Sequence, residues 1–460
     1  MNTTAAVKSG PLHFDPLSAE IRRWPHPYYD QLNETPVLPL VDYPNFYIVS
    51  GYETVSTVLM DPHTYDGQPY PGYDVPIMSA MRPEPHARLR GAIQTLFTNR
   101  ALEQLTPYIT QVVKERTDDL LARNGGDVME LWANPIPLSV IAKMFGFADK
   151  DEDLVRLHTY GDAAIRLVIP LGGPGLPLPT GFKARWRQFI GLARAIPSVI
   201  RLLSSMPSKE RKERMRLPNP LVDIPGYPRT GLAHHPHLAR LMIDFQLEVL
   251  TIFKKHLANP GHEVVDFLIA PYQRGELSLR EILSSAGQIL VAGFETTANT
   301  LASAIYRLAQ DPALLKSLKS DPALLEPFID ELLRVDAPLQ RTLRRTTRPV
   351  NLAGVDLPEN AQLILMLGAA NMDKERFECP HTFDPARTNA RRNLTFGRGI
   401  HMCIGAQLAK LETRIALTEL LGRIESIRLM DNKPPERVVD KDIGMWGFSQ
   451  LSAGFVVQRS

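Results

Sequence analysis

Residues 396–405 read Phe396-Gly397-Arg398-Gly399-Ile400-His401-Met402-Cys403-Ile404-Gly405. The first two glycines permit backbone turns that a side chain would obstruct, and the third allows a flat ligand to approach the backbone closely. Apolar residues then recur at helical spacing as far as Leu421-Gly422, at Ile404, Leu408, Leu411 and Ile415. We therefore expect Cys403 at the N-terminus of a helix, where the helix dipole and free N–H groups favour a thiolate.

Two cations precede this cysteine, Arg398 by five residues and His401 by two. A thiolate with cations in this arrangement is suited to ligating a metal whose macrocycle carries carboxylates. A cysteine taken alone is more often a small buried hydrophobe, and the ten-residue context is what favours the metal ligand. The second cysteine, Cys379, lies in a turn-rich stretch and is predicted to be incidental.

Composition excludes several other classes of protein. The 460 residues are 44% hydrophobic and 22% charged, which is typical of a globular protein with a large core. The formal net charge of +2 gives no indication of a nucleic-acid partner. Two cysteines are too few for a disulfide framework or a four-thiolate zinc or iron–sulfur site. The first fifteen residues lack the apolar run of a signal peptide or membrane anchor, so we expect a cytoplasmic protein.

Apolar spacing is mostly helical, and extended segments are few. The pattern predicts helices at Ala101–Arg123, Leu138–Phe147, Leu238–His256 and Leu279–Gln310. The last of these opens with Ser278 and Glu281 at capping-box spacing. Strands are predicted at Val37–Val41, Tyr47–Ser50, Val350–Leu352 and Gln362–Met366. No linker divides the chain, so the sequence predicts one mainly α domain, residues 1–460, with a minor β-sheet.

The predicted helix Leu279–Gln310 contains an unusual segment, Ala292-Gly293-Phe294-Glu295-Thr296-Thr297. Glycine and threonine have low helix propensity, and their presence inside a long buried helix suggests a function. A hydroxyl that can donate and accept, backed by a titratable carboxylate, is suited to relaying protons in an apolar cavity. The alternative is that Glu295 is a core carboxylate held in a salt bridge.

The 396–405 loop resembles that of the cytochrome P-450 family of haem-thiolate monooxygenases, which reads Phe-x-x-Gly-x-x-x-Cys-x-Gly. Phe396, Gly399, Cys403 and Gly405 match every fixed position. Three further motifs follow the family's order, so the resemblance extends from about Tyr28 to the C-terminus. It implies the P-450 fold, with haem b (iron protoporphyrin IX) between a long central helix and the cysteine loop. Cys403 would then be the iron ligand, and Phe396 and Gly405 would contact the haem.

The first further motif is Glu331-Leu332-Leu333-Arg334, whose acid and base lie three residues apart on one helix face. In the family this pair locks a helix to the loop beneath the haem. The second motif is the 292–297 segment, in which Glu295 and Thr296 occupy the positions of the acid and alcohol next to bound dioxygen.

The third motif is Pro85-His86-Ala87-Arg88-Leu89-Arg90, in which proline presets a first helical turn. His86 and Arg90 then project from one face, and in the family that pair reaches a haem propionate. Arg344, Arg398 and His401 match other propionate partners. Two buried carboxylates need several cations around them, because burial removes the water that would solvate their charges.

The resemblance implies a bacterial-type enzyme that inserts one atom of dioxygen into an apolar small molecule. The sequence has no nicotinamide or flavin fingerprint and no ferredoxin cysteine run. An iron–sulfur ferredoxin with its NAD(P)H-dependent reductase is therefore the expected electron source. The alternatives are a peroxide-driven peroxygenase, a nitric-oxide-reducing relative, and a haem-thiolate protein that only binds a ligand. Glu295-Thr296 argues against the peroxygenase.

Family resemblance also assigns the substrate pocket, and its expected lining residues are Leu290, Phe294, Leu339, Thr342, Trp446 and Phe448, with the loop Tyr65–Met81. Residues 168–238, rich in proline and glycine at both ends, are predicted to form a lid over the substrate channel. Their basic, amphipathic part, 182–228, is expected to pack mainly on its own protein, with transient membrane contact as the minority outcome. The alternative is an ordinary solvated helical insertion.

Overall fold

The structure is a computed structural model, and it describes residues 14–15, 18–41, 43–68, 77–147, 150–168, 197, 200–202, 204–206, 208, 236–261, 264–430, 434–438 and 444–458. Helices dominate these ranges, and the strands form small sheets. The predicted fold class, mainly α with a minor β-sheet, is confirmed. Within the same ranges, no helix combines the length and the apolar character needed to cross a membrane.

The described α-helices are α1 (Ala19–Arg23), α2 (Tyr29–Glu34), α3 (Tyr52–Met60), α4 (Pro83–Ile93), α5 (Asn99–Ala122), α6 (Pro135–Met144), α7 (Asp151–Val168), α8 (Pro236–Ala258), α9 (Ile269–Gln273), α10 (Leu279–Gln310), α11 (Pro312–Ser320), α12 (Leu325–Val335), α13 (Leu367–Ala370) and α14 (Ala406–Leu421). The predicted helices correspond to α5, α6, α8 and α10. Helix α6 begins earlier than predicted because Pro135 supplies the preset φ of a first helical turn.

The described strands are β1 (Val37–Pro39), β2 (Phe46–Val49), β3 (Tyr65–Asp66), β4 (Gly125–Asp127), β5 (Arg341–Thr346), β6 (Val350–Leu352), β7 (Val355–Leu357), β8 (Gln362–Met366), β9 (Ile424–Leu429), β10 (Glu436–Arg437), β11 (Phe448–Gln450) and β12 (Ser452–Val457). The largest sheet has the order β1-β2-β8-β5-β3, and its β2–β8 pair is parallel. A second sheet has the order β4-β12-β9, and β6–β7 and β10–β11 form pairs. The four predicted strands correspond to β1, β2, β6 and β8, and β1 ends at Pro39, two residues earlier than predicted. The sequence pattern did not predict the other described strands.

One compact unit comprises Met1–Gly67, Leu102–Pro137 and Phe294–Ser460. It contains the largest sheet, whose side chains form an apolar core with α3 and with the chain that leads into the 396–405 loop. Fully buried members of this core include Val49, Val55, Leu363, Phe377 and Leu394. Leu394, two residues before the 396–405 loop, is thus packed in this core, and its packing fixes the position at which the loop begins.

A second compact unit comprises Gln68–Ala101 and Leu138–Gly293. In it α7 packs against α8, where the ring centres of Tyr160 and Phe245 lie 5.6 Å apart. Phe147, in the chain before α7, stacks on Phe245 with ring centres 6.1 Å apart. The Tyr160 hydroxyl donates to Glu248 at 2.8 Å across the same helix pair. Helix α10 contributes residues to both units, as far as Gly293 to this one and from Phe294 to the other.

The predicted capping box at the start of α10 is confirmed. The Ser278 N–H donates to Glu281 Oε2 at 2.9 Å, and the Glu281 N–H donates to Ser278 Oγ at 3.2 Å. The helix ends at Gln310 because Asp311 caps the next helix, accepting from the Leu314 N–H at 2.9 Å. These two caps set the bounds of the 32-residue helix that carries Glu295 and Thr296.

The predicted lid, 168–238, lies largely outside the described residues, and so does most of its basic part, 182–228. The described positions near its centre include Leu202 and Met206, both buried. Lys254 of α8 donates to the Ser205 carbonyl at 2.8 Å. This part of the insertion therefore contacts its own chain, and the lid itself stays a prediction.

Candidate active site

Backbone hydrogen bonds fold the 396–405 loop back on itself. The Cys403 N–H donates to the Phe396 carbonyl at 2.8 Å. Gly397 and Gly399 both have positive φ, +66° and +69°. A Cβ at Gly399 would also lie 2.4 Å from the carbonyl oxygen of Leu59 in α3. Only glycine fits this position, because both the backbone conformation and the close approach to α3 exclude a side chain.

Cys403 is exposed, and the predicted helix follows it: α14 begins at Ala406, with Gly405 as its N-cap residue. The neighbouring Met402 is also exposed, by 47%. The loop therefore presents a soft sulfur donor and an apolar side chain at the start of a helix.

Arg398 contacts α3. Its Nη2 donates to the Tyr52 hydroxyl at 2.8 Å, and its Nη1 donates to Ser56 Oγ at 3.0 Å. These two bonds anchor the loop to α3, and the contact of Arg398 with a haem carboxylate, which the resemblance implies, stays a prediction. His401 closes the short turn Gly399–His401, two residues before the cysteine.

Arg344 is a buried cation on β5. Its Nη1 donates to the Leu343 carbonyl at 2.7 Å, and among the described residues no carboxylate lies within ion-pair distance of it. The nearby Asp66 pairs instead with Arg345, at 3.0 Å. Burial lowers the pKa of Arg344 to about 10, and the attraction of Asp66 offsets this only in part. Such a guanidinium is suited to a buried carboxylate on a ligand.

His86 and Arg90 lie one turn apart on α4, in the second unit. His86 is 2% exposed. Burial, reinforced by the charge of Arg90, lowers the pKa of His86 to about 4. The imidazole is therefore neutral at pH 7 and still carries one N–H that can donate to an anion.

Glu295 and Thr296 lie where α10 changes from a buried to a partly accessible surface. Glu295 is 6% exposed, while Ala292, Gly293 and Thr296 keep some exposure. Ala292 and Thr296 are i and i+4, so they share one helix face, whereas a Cβ at Gly293 would lie 2.5 Å from Ile141 Cδ1. The Thr300 hydroxyl donates to the Thr296 carbonyl at 2.9 Å, a side-chain bond of the kind that bends helices.

Two predicted pocket residues on this helix, Leu290 and Phe294, are both 0% exposed. Their contact with a substrate stays a prediction. The residues of this turn that keep more exposure are Ala292 and Thr296.

Trp446 and Phe448, also predicted to line the pocket, are both nearly fully buried against a cation, and their contact with a substrate stays a prediction. The guanidinium carbon of Arg437 lies 4.2 Å from the Trp446 ring centre and 3.8 Å from the Phe448 ring centre. Of the remaining predicted pocket residues, Leu339 and Thr342 keep partial exposure. Met445, which the sequence analysis did not single out, forms an isolated β-bridge with Leu339.

Glu331 and Arg334 form the predicted pair, and both side chains are fully buried. Arg334 Nε and Nη2 donate to the two carboxylate oxygens, each at 2.7 Å. Arg334 Nη1 donates to the carbonyls of Asn371 and Pro380, at 2.9 and 2.8 Å. Arg387, which the sequence analysis missed, donates from Nε to Glu331 Oε1 at 3.2 Å. No local pattern marks Arg387, since it lies 56 residues from its partner.

This network continues to the cysteine loop. The Asn371 side chain accepts from the Leu394 N–H at 2.6 Å and donates to the Thr395 hydroxyl at 2.9 Å. The Thr395 hydroxyl donates to the Leu333 carbonyl in α12 at 2.6 Å. The buried ion pair therefore fixes the residues immediately before Phe396.

Comparisons with known proteins agree with the geometry of the cysteine loop, the buried Glu331–Arg334 pair and the central helix α10. A model of the cytochrome P450 family matches residues 196–446, more than half of the chain. The chain belongs to the cytochrome P450 family. It is a P450 monooxygenase by family and uses a haem cofactor.

Curated relatives of this P450 span nearly the whole chain. It is 28% identical to cytochrome P450 107B1 of Saccharopolyspora erythraea, over 96% of this chain and 95% of that protein. It is 29% identical to the cytochrome P450 monooxygenase PikC of Streptomyces venezuelae, over 85% of this chain and 81% of that protein. The solved structure of CYP109Q5 from Chondromyces apiculatus has the same fold. It shares 23% identity and a TM-score of 0.74, over 97% of this chain and 99% of that one.

Proposed function

We propose that this P450 uses dioxygen to insert one oxygen atom into an apolar small molecule. The observation that carries the proposal is the pairing of Glu295 and Thr296 at the border between the buried and accessible faces of α10. A buried carboxylate next to an accessible hydroxyl can pass a proton from protein to ligand. A protein that only bound a ligand would not require this pair in the middle of a helix.

The proposed cofactor is haem b, and the residues present fit it. The accessible Cys403 sulfur would ligate the iron, and Gly405 would leave room for the flat ring. Arg344, buried without a carboxylate partner among the described residues, would bind a propionate, as would His401. For His86 and Arg90, propionate binding stays a prediction from the family resemblance. When bound, the haem supplies dioxygen activation, and a thiolate ligand favours cleavage of the O–O bond.

The protein's own side chains, Glu295 and Thr296, would deliver the proton. Glu295 is held at 6% exposure, so its proton leaves most readily through a neighbouring polar group. Thr296 is the adjacent hydroxyl on the accessible face. The Thr300 hydroxyl donates to the Thr296 carbonyl, a side-chain bond of the kind that bends helices.

Electrons would come from an iron–sulfur ferredoxin and its NAD(P)H-dependent reductase. The substrate would contact the partly exposed Leu339 and Thr342. These side chains present mostly methyl and backbone surface, which favours an apolar ligand.

The test is turnover of Thr296→Ala beside Thr297→Ala, a buried threonine next in sequence as the matched control. An apolar compound that moves the haem Soret band is first chosen by screening. With ferredoxin, reductase and NAD(P)H, we expect Thr296→Ala to give about tenfold less product per NAD(P)H, since it removes a proton donor and not a ligand. Thr297→Ala should match the parent. Product from the parent should carry ¹⁸O when ¹⁸O₂ is supplied; product formed with H₂O₂ alone would instead support a peroxygenase.

A further inference from the structure

The segment 444–448, here called the 444–448 loop, is attached directly to the central helix α10. Asn299 Oδ1 accepts a hydrogen bond from the Phe448 N–H at 3.0 Å. A Cβ on Gly447 would lie 1.8 Å from the same oxygen, so the loop backbone rests on the Asn299 amide. Asn299 is itself 4% exposed. The amide therefore fills the whole space between loop and helix.

The other edge of the 444–448 loop is bonded to the chain before β5. The Trp446 N–H donates to the Pro338 carbonyl, and the Gln340 N–H donates to the Gly444 carbonyl, both at 2.8 Å. Between these bonds Leu339 and Met445 face each other as a β-bridge. Leu339 is partly exposed although its neighbours Pro338 and Gln340 are buried. Leu339 and Met445 thus form a small wall that depends on the loop for its position.

Asn299 lies three residues after Thr296 on the same helix. Side chains at this spacing are neighbours on the helix surface, with about 5–6 Å between their Cβ atoms. The contact of Asn299 with Phe448 and Gly447 therefore holds the Leu339–Met445 wall at a fixed distance from the helical turn that carries Thr296. Moving the loop by the length of one hydrogen bond would move the wall relative to the proton donor.

We propose that Asn299 is a positioning residue that sets the distance between the Leu339–Met445 wall and the Thr296 turn. By this means it decides how large a group can sit beside the haem iron. The inference rests on the proposed function, since it assumes that ligands bind between this wall and α10. Asn299 acts through the loop and touches no reacting atom, so it is not a catalytic residue.

The test measures the affinities of imidazole and 4-phenylimidazole for the haem-loaded protein, from the shift of the Soret band. Imidazole needs only the iron, whereas the phenyl ring must also fit beside the wall. We expect Asn299→Ala to change the ratio of the two dissociation constants by about threefold or more, with imidazole affinity near that of the parent. Ser303→Ala, a buried position one turn further along α10, is the matched control and should keep the parent ratio.

Gly447→Ala probes the contact from the other side. Its methyl group would collide with the Asn299 amide, so this variant should also change the ratio. The double variant Asn299→Ala/Gly447→Ala lacks the two atoms of Asn299 that the new methyl group would approach most closely, Oδ1 and Cγ. Its change in the ratio of dissociation constants, expressed as a free energy, should therefore be smaller than the sum of the changes in the two single variants. If Asn299→Ala does not load haem, Asn299→Asp keeps the Oδ1 acceptor, and its ratio should be that of the parent.

The outcomes separate the two proposals. Unchanged ratios in both single variants, equal changes in Ser303→Ala, or strict additivity in the double variant would overturn the role of Asn299 and leave the proposed function standing. Failure of the parent to shift its Soret band with imidazole would instead show that the iron has no position open to a ligand, on which the proposed function depends.

Discussion

Arg387 donates from Nε to Oε1 of Glu331 at 3.2 Å, and the same oxygen accepts from Nη2 of Arg334 at 2.7 Å. The Asp384 N–H also donates to this oxygen, at 2.9 Å. One fully buried carboxylate therefore binds two guanidinium groups and a backbone N–H. Removing one member leaves charges in a medium where they cannot be solvated. The segment that holds the cysteine loop in place thus depends on a residue far from the pair that the sequence predicts.

Arg387→Lys should lower the free energy of unfolding by about 1–3 kcal/mol, because lysine keeps the charge but cannot make the several directed bonds of the guanidinium. Arg391→Lys, an exposed change four residues later, is the control and should stay within about 0.5 kcal/mol of the parent. Urea unfolding of the three proteins measures both differences. Equal midpoints for Arg387→Lys and the parent would show that Arg387 does not stabilise the network.

Glu412 on α14 gives a pH-dependent prediction. Both of its carboxyl oxygens are buried without a hydrogen-bond partner among the described residues, and burial raises its pKa well above the usual 4.5. The folded protein therefore keeps this proton where the unfolded chain has lost it. Stability is lost as pH rises from about 4.5 towards the raised pKa, at up to about 1.4 kcal/mol per pH unit.

Glu412→Gln is neutral at every pH and removes this loss. Its advantage in free energy of unfolding over the parent should therefore grow as pH rises above about 4.5. Glu425→Gln, at an exposed position of β9, is the control and should show a smaller change. Urea unfolding at a series of pH values measures the difference, and a constant gap between Glu412→Gln and the parent would contradict the assignment.

Arg344 gives a prediction about haem retention. Arg344→Gln should release haem several-fold faster than the parent, since the buried guanidinium is proposed to bind a propionate. Transfer of haem to an excess of apomyoglobin measures the rate. Arg348→Gln, an exposed arginine four residues later, should release haem at the parent rate. Equal rates for Arg344→Gln and the parent would assign the propionate to other cations.

Features that depend on local backbone chemistry could be predicted from the sequence. Glycine at 397 and 399 indicated turns because glycine adopts positive φ without strain, and both residues do so. The capping box of Ser278 and Glu281 and the pair of Glu331 and Arg334 each join residues three apart, where helix geometry alone brings side chains together.

Features that depend on distant packing could not be predicted. Family resemblance assigned Leu290 and Phe294 to the pocket, but a sequence motif cannot show that both side chains are fully buried. The packing of Trp446 and Phe448 against Arg437 could not be predicted either, because aromatic side chains suit a pocket and a buried cluster equally. Arg387 and Asn299 act through partners 56 and 149 residues away, at positions that no local pattern marks.

The central claim is that the Cys403 sulfur binds a haem iron, and the carbon-monoxide spectrum of the reduced protein tests it most directly. The parent should show the Soret band of thiolate-ligated haem. Cys403→Ser should lose that band, because it reports sulfur ligation, while Cys379→Ser should keep it as the control. A Cys403→Ser protein that retained the thiolate band would contradict the account.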